Sequence, residues 1–297
     1  MNRSGMALVT GASSQLGVFL VPRLIKAGMD VLAVSREIPE GAVSDTEGVN
    51  WIAPGSESVQ KANFLLSCGP LGLAANYVAK VEGLKKVIAF STSSVYTKRE
   101  SADESERLTI NRIAEEEGKM RSICCDRNIP LVIIRPTLIY GCGMDSNISL
   151  LLKMGEKTGF IPLSRDAVGL RQPVHADDLA QLAVTALQAD TGSFLEGEAC
   201  GGSTLMFSEM AAKVAQCGSR KIRLLSLPSP ILNAAVRVAS FLAPGKGINP
   251  QMVHRQSEDM VFDSTVFNET LSWNPRPFEP GPEDFEIPLN LKKAAHL

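Results

Sequence analysis

The chain has 297 residues, 44% hydrophobic and 21% charged, enough for a large buried core in one main domain with a smaller appended lobe. Its formal net charge is −2 and its lysines and arginines are scattered, so no electrostatic footprint for nucleic acid exists. Six cysteines without a C-x-x-C pair, and only three histidines, signal neither a zinc site nor a disulfide framework. They read as small buried apolar residues in a reducing compartment.

Met6-Ala-Leu-Val-Thr10 reads as a buried strand running into a glycine-hinged turn, Gly11 to Gly17. Gly11 can take the backbone conformation of a tight turn, and Gly17 lets the following helix, Leu16 to Ala27, pack closely on the strand. The amides opening that helix would face phosphate. Ser14 stands where the middle glycine of a G-x-x-G-x-x-G pattern would stand. The apolar start is only a few residues long and runs straight into the turn, so a cleavable signal peptide is not expected. Further strands are expected at Asp30–Val34, Val49–Ile52, Asn63–Ser67, Lys86–Phe90 and Leu131–Ile134, with helices at Leu71–Lys80 and within Ala102–Asn128. This alternation predicts an α/β fold, a doubly wound parallel sheet of Rossmann type. Strand ends at Gly11–Gly17, Ser35-Arg36, Cys68-Gly69-Pro70, Ser91–Ser94 and Arg135–Thr137 should converge on one cleft.

Beyond Tyr140 prolines break the pattern, which predicts a core domain over 1–142 and a substrate lobe over 143–297, with 171–190 returning to the core. The apolar stretch Ile231 to Ala243 is too short to span a bilayer; burial of one face in the lobe is favoured over rest on a membrane surface. A soluble, cytoplasmic protein is the expectation. Ser101-Ala-Asp-Glu104 reads as a capping box, Glu115-Glu116-Glu117 as a solvated helix face, and Asp177 and Asp178 as helix-start carboxylates. No metal site is expected.

Four segments, Val9 to Gly17, Phe90-Ser-Thr-Ser-Ser-Val-Tyr96, Arg135-Pro-Thr-Leu-Ile-Tyr-Gly141 and Arg171 to Ala180, together with Leu271-Ser-Trp-Asn-Pro-Arg-Pro-Phe278, resemble the extended short-chain dehydrogenase/reductase superfamily, in its nucleotide-sugar epimerase/dehydratase branch. The resemblance spans nearly the whole chain. It implies a nicotinamide cofactor, a hydride moved to or from a sugar carbon, a nucleotide-sugar substrate in the C-terminal lobe, a role in cell-surface polysaccharide synthesis, and dimerisation through two long helices. Epimerase, dehydratase and reductase remain open.

For the cofactor, the motif places the ribose-reading position about 20 residues after the turn, at Ser35-Arg36-Glu37. A guanidinium there can pair with a 2′-phosphate, so NADP is preferred over NAD, and Glu37 keeps NAD open. The expected cofactor-binding residues are Gly11, Ser13, Ser14, Gln15, Leu16, Gly17, Ser35, Arg36, Cys68, Gly69, Pro70, Ser91, Pro136, Thr137 and Leu138.

The superfamily's tyrosine four residues before a lysine is absent: the residues four after Tyr77, Tyr96 and Tyr140 are Val81, Glu100 and Met144. A free phenol is a poor base until a positive neighbour favours its phenolate, so ordinary dehydrogenase chemistry is in question while cofactor binding is not. Aligned on Ala114-Glu115-Glu116, the helix carries Arg107 or Leu108 at the tyrosine position and Asn111 or Arg112 at the lysine position. Ser93, or its neighbour Ser94, is the candidate for polarising the substrate oxygen, Tyr96 for donating a proton, and Arg112 for positive charge. His175 is expected to be structural, before an aspartate-capped helix. Asn147, Arg171 and Arg255 are the substrate-binding candidates. Two functions follow: an NAD(P)-dependent enzyme on a nucleotide-activated sugar, which is favoured, and a dinucleotide-binding regulator or partner subunit that has lost turnover.

Overall fold

The computed structural model describes residues 5–36, 47–242 and 251–288, with 238–242 described in backbone only. The first half runs β1 (Met6–Thr10), α1 (Gln15–Lys26), β2 (Asp30–Val34), β3 (Val49–Ile52), β4 (Phe64–Ser67), α2 (Leu71–Lys80), β5 (Lys86–Phe90), α3 (Ser94–Thr97), α4 (Glu104–Asp126) and β6 (Leu131–Pro136). There follow β7 (Ile139–Tyr140), α5 (Ile148–Thr158), β8 (Phe160–Ser164), β9 (Leu170–Arg171), β10 (Val174–His175), α6 (Ala176–Gln188) and β11 (Phe194–Ala199). The last elements are β12 (Leu205–Met206), α7 (Phe207–Gln216), β13 (Arg223–Leu227), α8 (Ser229–Leu242), α9 (Gln251–His254) and α10 (Thr265–Leu271).

Seven strands form one parallel sheet in the order β11-β6-β5-β4-β1-β2-β3. The α/β doubly wound fold read from the alternation is the fold observed. Both faces are covered, so β5 and β6 are buried at every residue and carry continuous apolar runs instead of alternation. One core lies between the sheet and α1 and α6, built on Leu20, Leu24, Ile88, Val132 and Leu179. The other lies under α2 and α4, built on Leu65, Val78, Val87, Met120 and Leu131. The order reverses between β1 and β4, and at such a switch point the loops leaving the carboxyl ends diverge and open a crevice.

β11 is a finding beyond the sequence reading, which leaves 194–199 irregular. Phe194 to Ala199 pair in parallel with Leu131 to Pro136 and complete the sheet edge. The remaining lobe packs α5, α7 and the β8–β13 pair around Leu152, Ile161, Met210 and Val214. It is tied to the core through Trp273, whose indole donates to the Cys200 carbonyl at 3.2 Å, and through Phe278, buried edge-on against Tyr140.

Three local expectations are corrected. α4 is capped by Asp103, whose carboxylate accepts from the Ser105 and Glu106 amides at 2.9 and 3.1 Å; Ser101 lies two residues outside and donates to the Glu106 side chain. α6 is capped by His175, whose Nδ1 accepts from the Asp177 amide at 3.0 Å, in place of an aspartate. Glu117 is not solvated: the side of α4 turned to the sheet carries Ile110, Glu117, Met120 and Cys124. All six cysteines are free; Cys124, Cys142, Cys200 and Cys217 are buried as expected, whereas Cys125 is exposed and Cys68 half-buried. Burial pushes the thiols of Cys124, Cys142 and Cys217 up to about 11, which keeps them protonated and unreactive.

Candidate functional site

The turn between β1 and α1 is built by glycines that nothing larger can replace. Gly11 has φ +68°, and a Cβ there would lie 2.7 Å from the backbone of Cys68 and Gly69. A Cβ on Gly17 would lie 2.4 Å from the Ala12 carbonyl oxygen. Ser14 fits the middle position because its hydroxyl turns inward: it accepts from the Gly17 amide at 3.2 Å and donates to the Cys68 carbonyl at 3.2 Å. It thereby caps α1 and leaves the space outside the turn open. The first amides of α1, at Gln15 and Leu16, have no acceptor within the helix and suit a phosphate.

At the end of β2, Ser35 is buried and its hydroxyl lies 2.9 Å from that of Ser13. Arg36 is exposed beside it. Glu37, the residue that keeps NAD open, lies outside the described residues. Cys68, Gly69 and Pro70 follow β4, with Gly69 packed against Gly11. The glycine cradle, capped helix start and hydroxyl pair fit a dinucleotide.

From this turn a cavity of about 860 Å³ extends into the C-terminal lobe. Gln15 lines its inner end and donates to the Gly141 carbonyl at 2.8 Å, which couples the turn to β7. Ser93, Ser94, Thr137 and Leu138 also line it, from the ends of β5 and β6. Ser93 is 7% exposed and is fixed by its amide, which donates to the Pro136 carbonyl at 3.1 Å. The Thr137 hydroxyl donates to the Gln172 carbonyl at 2.5 Å.

Asn147, Arg171 and Arg255 all line the cavity, but the two arginines are already engaged. Arg171 donates to the carbonyls of Leu170, Glu258 and Arg255, and burial lowers its guanidinium to about 10. Arg255 pairs with Glu106, which also holds Lys98 at 2.9 Å. Burial would raise the Glu106 carboxyl, but Ser101, Lys98 and Arg255 hold it below the usual range.

Several candidates are not brought to the cavity. None of the described lining residues comes from α4, and Arg112, 76% exposed, pairs with Glu116 on its own helix. The alignment on Ala114-Glu115-Glu116 points it to solvent, because the buried turn of α4 is set by Glu117. Tyr96, 55% exposed, does not line the cavity; Arg135 lies 5.5 Å from its ring centroid and the Phe262 ring 6.5 Å away. Burial and the neighbouring Glu198 raise its phenol despite the opposing Arg135 charge, so it is not tuned toward a phenolate. Ser91 donates to Glu117. His175 is enclosed between the Asp177 amide and the Asp284 carboxylate, 3.0 Å from its Nε2.

The sequence reading does not reveal the buried network that replaces these. Glu117 accepts from Arg135 at 3.0 and 2.7 Å, and Arg135 also meets Glu196 at 2.5 Å and Glu198 at 3.7 Å. Burial would lower the Arg135 guanidinium, but Glu117 and Glu196 raise it above its ordinary value. The network clamps α4, β6 and β11 together directly behind Ser91. A lone arginine, Arg135, in the otherwise apolar strand Leu131–Pro136 is the sequence signal for it.

The sheet order and switch-point turn define a doubly wound α/β fold whose crevice is continuous with the cavity of the C-terminal lobe. No protein-family model matches the chain. An epimerase from Methanothermobacter thermautotrophicus has a similar structure, with a TM-score of 0.71 at 13% identity over 95% of this chain and 91% of that one. MoeE5, solved with UDP-glucose and NAD, gives 0.68 at 15% identity over 94% and 97%. In sequence, an uncharacterized protein, y4nG, of Sinorhizobium fredii (strain NBRC 101917 / NGR234) is 24% identical over 91% of this chain and 74% of its own. The UDP-glucose 4-epimerase of Vibrio cholerae is 25% identical over 54% of this chain and 47% of its own, about half of each. The chain therefore shares the α/β fold of these solved structures, which is the fold that the resemblance of its motifs implies.

Proposed function

We propose that the protein is an NAD(P)-dependent oxidoreductase or epimerase-like enzyme that acts by hydride transfer at a carbon of a nucleotide-activated sugar. The observation that carries the reading is the continuity of the glycine turn with the cavity: Gln15 belongs to both, and Ser93 and Thr137 stand at their junction. Solved relatives of this fold hold UDP-glucose and NAD together. A nicotinamide dinucleotide, when bound, supplies the hydride. Gly11 to Gly17 would hold its pyrophosphate, Ser13, Ser35 and Arg36 the adenosine ribose, and Pro136 to Leu138 would flank the nicotinamide. Arg36, exposed beside Ser35, favours NADP. Ser93 would donate a hydrogen bond to the substrate oxygen and draw charge onto it, and the buried wall around it excludes water.

A second reading, a dinucleotide-binding regulator without turnover, is favoured by one observation: neither Tyr96 nor any described residue of α4 lines the cavity. Titration with NADPH and NADH, followed by nicotinamide absorbance with UDP, GDP and dTDP sugars and keto-sugars, separates the two. The enzyme reading expects turnover that Ser93→Ala reduces about 100-fold. Cofactor binding without turnover or protection by any sugar would leave the regulator.

A further inference from the structure

The cavity is two-sided in chemistry. Its described lining carries five cations, Lys98, Lys153, Lys157, Arg171 and Arg255, against one carboxylate, Asp145. Glu106 lies behind Lys98 and Arg255 and offsets one of them, so an excess of positive charge remains. The wall formed by α8 and α9 is different. Its lining side chains are Leu232, Ala235, Val236, Met252 and Val253, all apolar, and Leu150 and Met154 of α5 continue this surface. Five of the ten methionines of the chain, at 144, 154, 210, 252 and 260, line this one cavity. Methionine side chains are flexible and polarizable and adapt to an irregular apolar occupant.

The apolar surface also reaches the exterior. Pro162 lines the cavity, and its register partner Leu225 on β13 is 43% exposed; Ile231, next to Leu232 on α8, is 57% exposed. A nucleoside needs hydrogen-bonding groups for its base and ribose, and among the described residues the side chains with which α8 and α9 line the cavity offer only carbon and sulfur. A hydrocarbon chain needs none.

The geometry points to an anionic amphiphile as the occupant: a sugar diphosphate carried on a hydrocarbon chain, the phosphates among Lys98, Lys153 and Lys157 and the chain along Leu150, Met154, Leu232, Val236 and Met252. This rests on the sugar-diphosphate chemistry proposed above, and the UDP arm of the test decides whether a nucleoside or a hydrocarbon chain is the carrier.

The test is calorimetric titration of the NADPH-loaded full chain with butyl, hexyl, octyl and decyl phosphate below their micelle concentrations, with UDP as the nucleoside arm. Each methylene that enters the cavity tightens binding about fourfold, from about 0.8 kcal/mol per buried methylene. Ala235 lines the cavity from an exposed position, so Ala235→Glu sets a carboxylate in the path of the chain without disturbing the core. It should abolish the chain-length gain while leaving NADPH and butyl phosphate affinity within about twofold. An affinity independent of chain length, tighter binding of UDP than of decyl phosphate, or an undiminished gain in Ala235→Glu each overturns the proposal. Failure of NADPH binding or of sugar turnover with the chain-length gain intact would remove the enzyme reading and leave the amphiphile site standing.

Discussion

Replacing Glu117 by glutamine keeps the shape of the side chain and removes its charge from the most buried ion pair of the sheet. The Arg135 and Glu117 side chains are 5% and 7% exposed, and the carboxylate accepts both Arg135 bonds and the Ser91 hydroxyl. Breaking a buried pair by removing one partner costs about 3–5 kcal/mol, because the remaining charge stays desolvated. Arg135 keeps Glu196, whose side chain is 35% exposed, and Glu198 at 3.7 Å, so the loss falls at the lower end, about 3 kcal/mol. With a urea m-value of about 3 kcal/mol/M the unfolding midpoint drops by about 1 M at unchanged slope. The double variant Glu117→Leu/Arg135→Met should recover more than half of the loss, since neither charge is then left unpaired. A midpoint within about 0.2 M of the parent for Glu117→Gln would refute the argument that Arg135 depends on Glu117 for its neutralisation.

Gly17→Ala forces a Cβ to 2.4 Å from the fixed Ala12 carbonyl, so it should cost about 1–3 kcal/mol and weaken NADPH binding at least tenfold in a fluorescence titration. Unchanged affinity would dissociate the turn from the cofactor. Tyr96→Phe keeps the ring beside Arg135 and Phe262, so turnover should stay within about twofold and stability within about 0.5 kcal/mol. A collapse of kcat with stability intact would return Tyr96 to the reaction. The carboxyls of Asp177, Glu196 and Asp284 would be raised by burial but are held below their ordinary values, by Arg23 and Arg276, by Arg135 and Arg121, and by His175 and the Gly281 amide respectively. Their folded values lie below the unfolded ones, so their stabilisation is complete above about pH 4 and is lost as pH falls through the folded values. The thermal midpoint should therefore drop steeply below about pH 4, less steeply in Asp284→Asn; equal slopes would show that Asp284 carries no such coupling.

The glycine turn, the strands through Leu131–Ile134 and the helices between them are legible in the sequence because their signals are local. Gly11 and Gly17 are read from a turn that spans seven residues, and β5 and β6 from unbroken apolar runs between turn residues. The same locality explains the errors. Ser101 and Asp103 both suit a helix cap, and only the helix geometry selects Asp103, whose carboxylate reaches the Ser105 and Glu106 amides. Arg112 and Glu117 lie on one polar helix, and nothing within it tells the solvent face from the buried one.

Tertiary structure made those decisions. Glu117 turns inward because Arg135 lies in the strand beneath it, and that arginine is affordable in a buried strand only with carboxylates from α4 and β11 around it. Arg171 reads as a phosphate clamp until carbonyls more than eighty residues away saturate its guanidinium. The segment 194–199, with its two glutamates, becomes an edge strand because Leu131 to Pro136 offer it a partner. By itself the sequence determined the glycine turn between β1 and α1, since backbone conformation there is dictated by residues adjacent in the chain. Which side chains face the cavity, and that half of its wall is hydrocarbon, depended on contacts between α5, α8 and α9, which only the folded arrangement brings together.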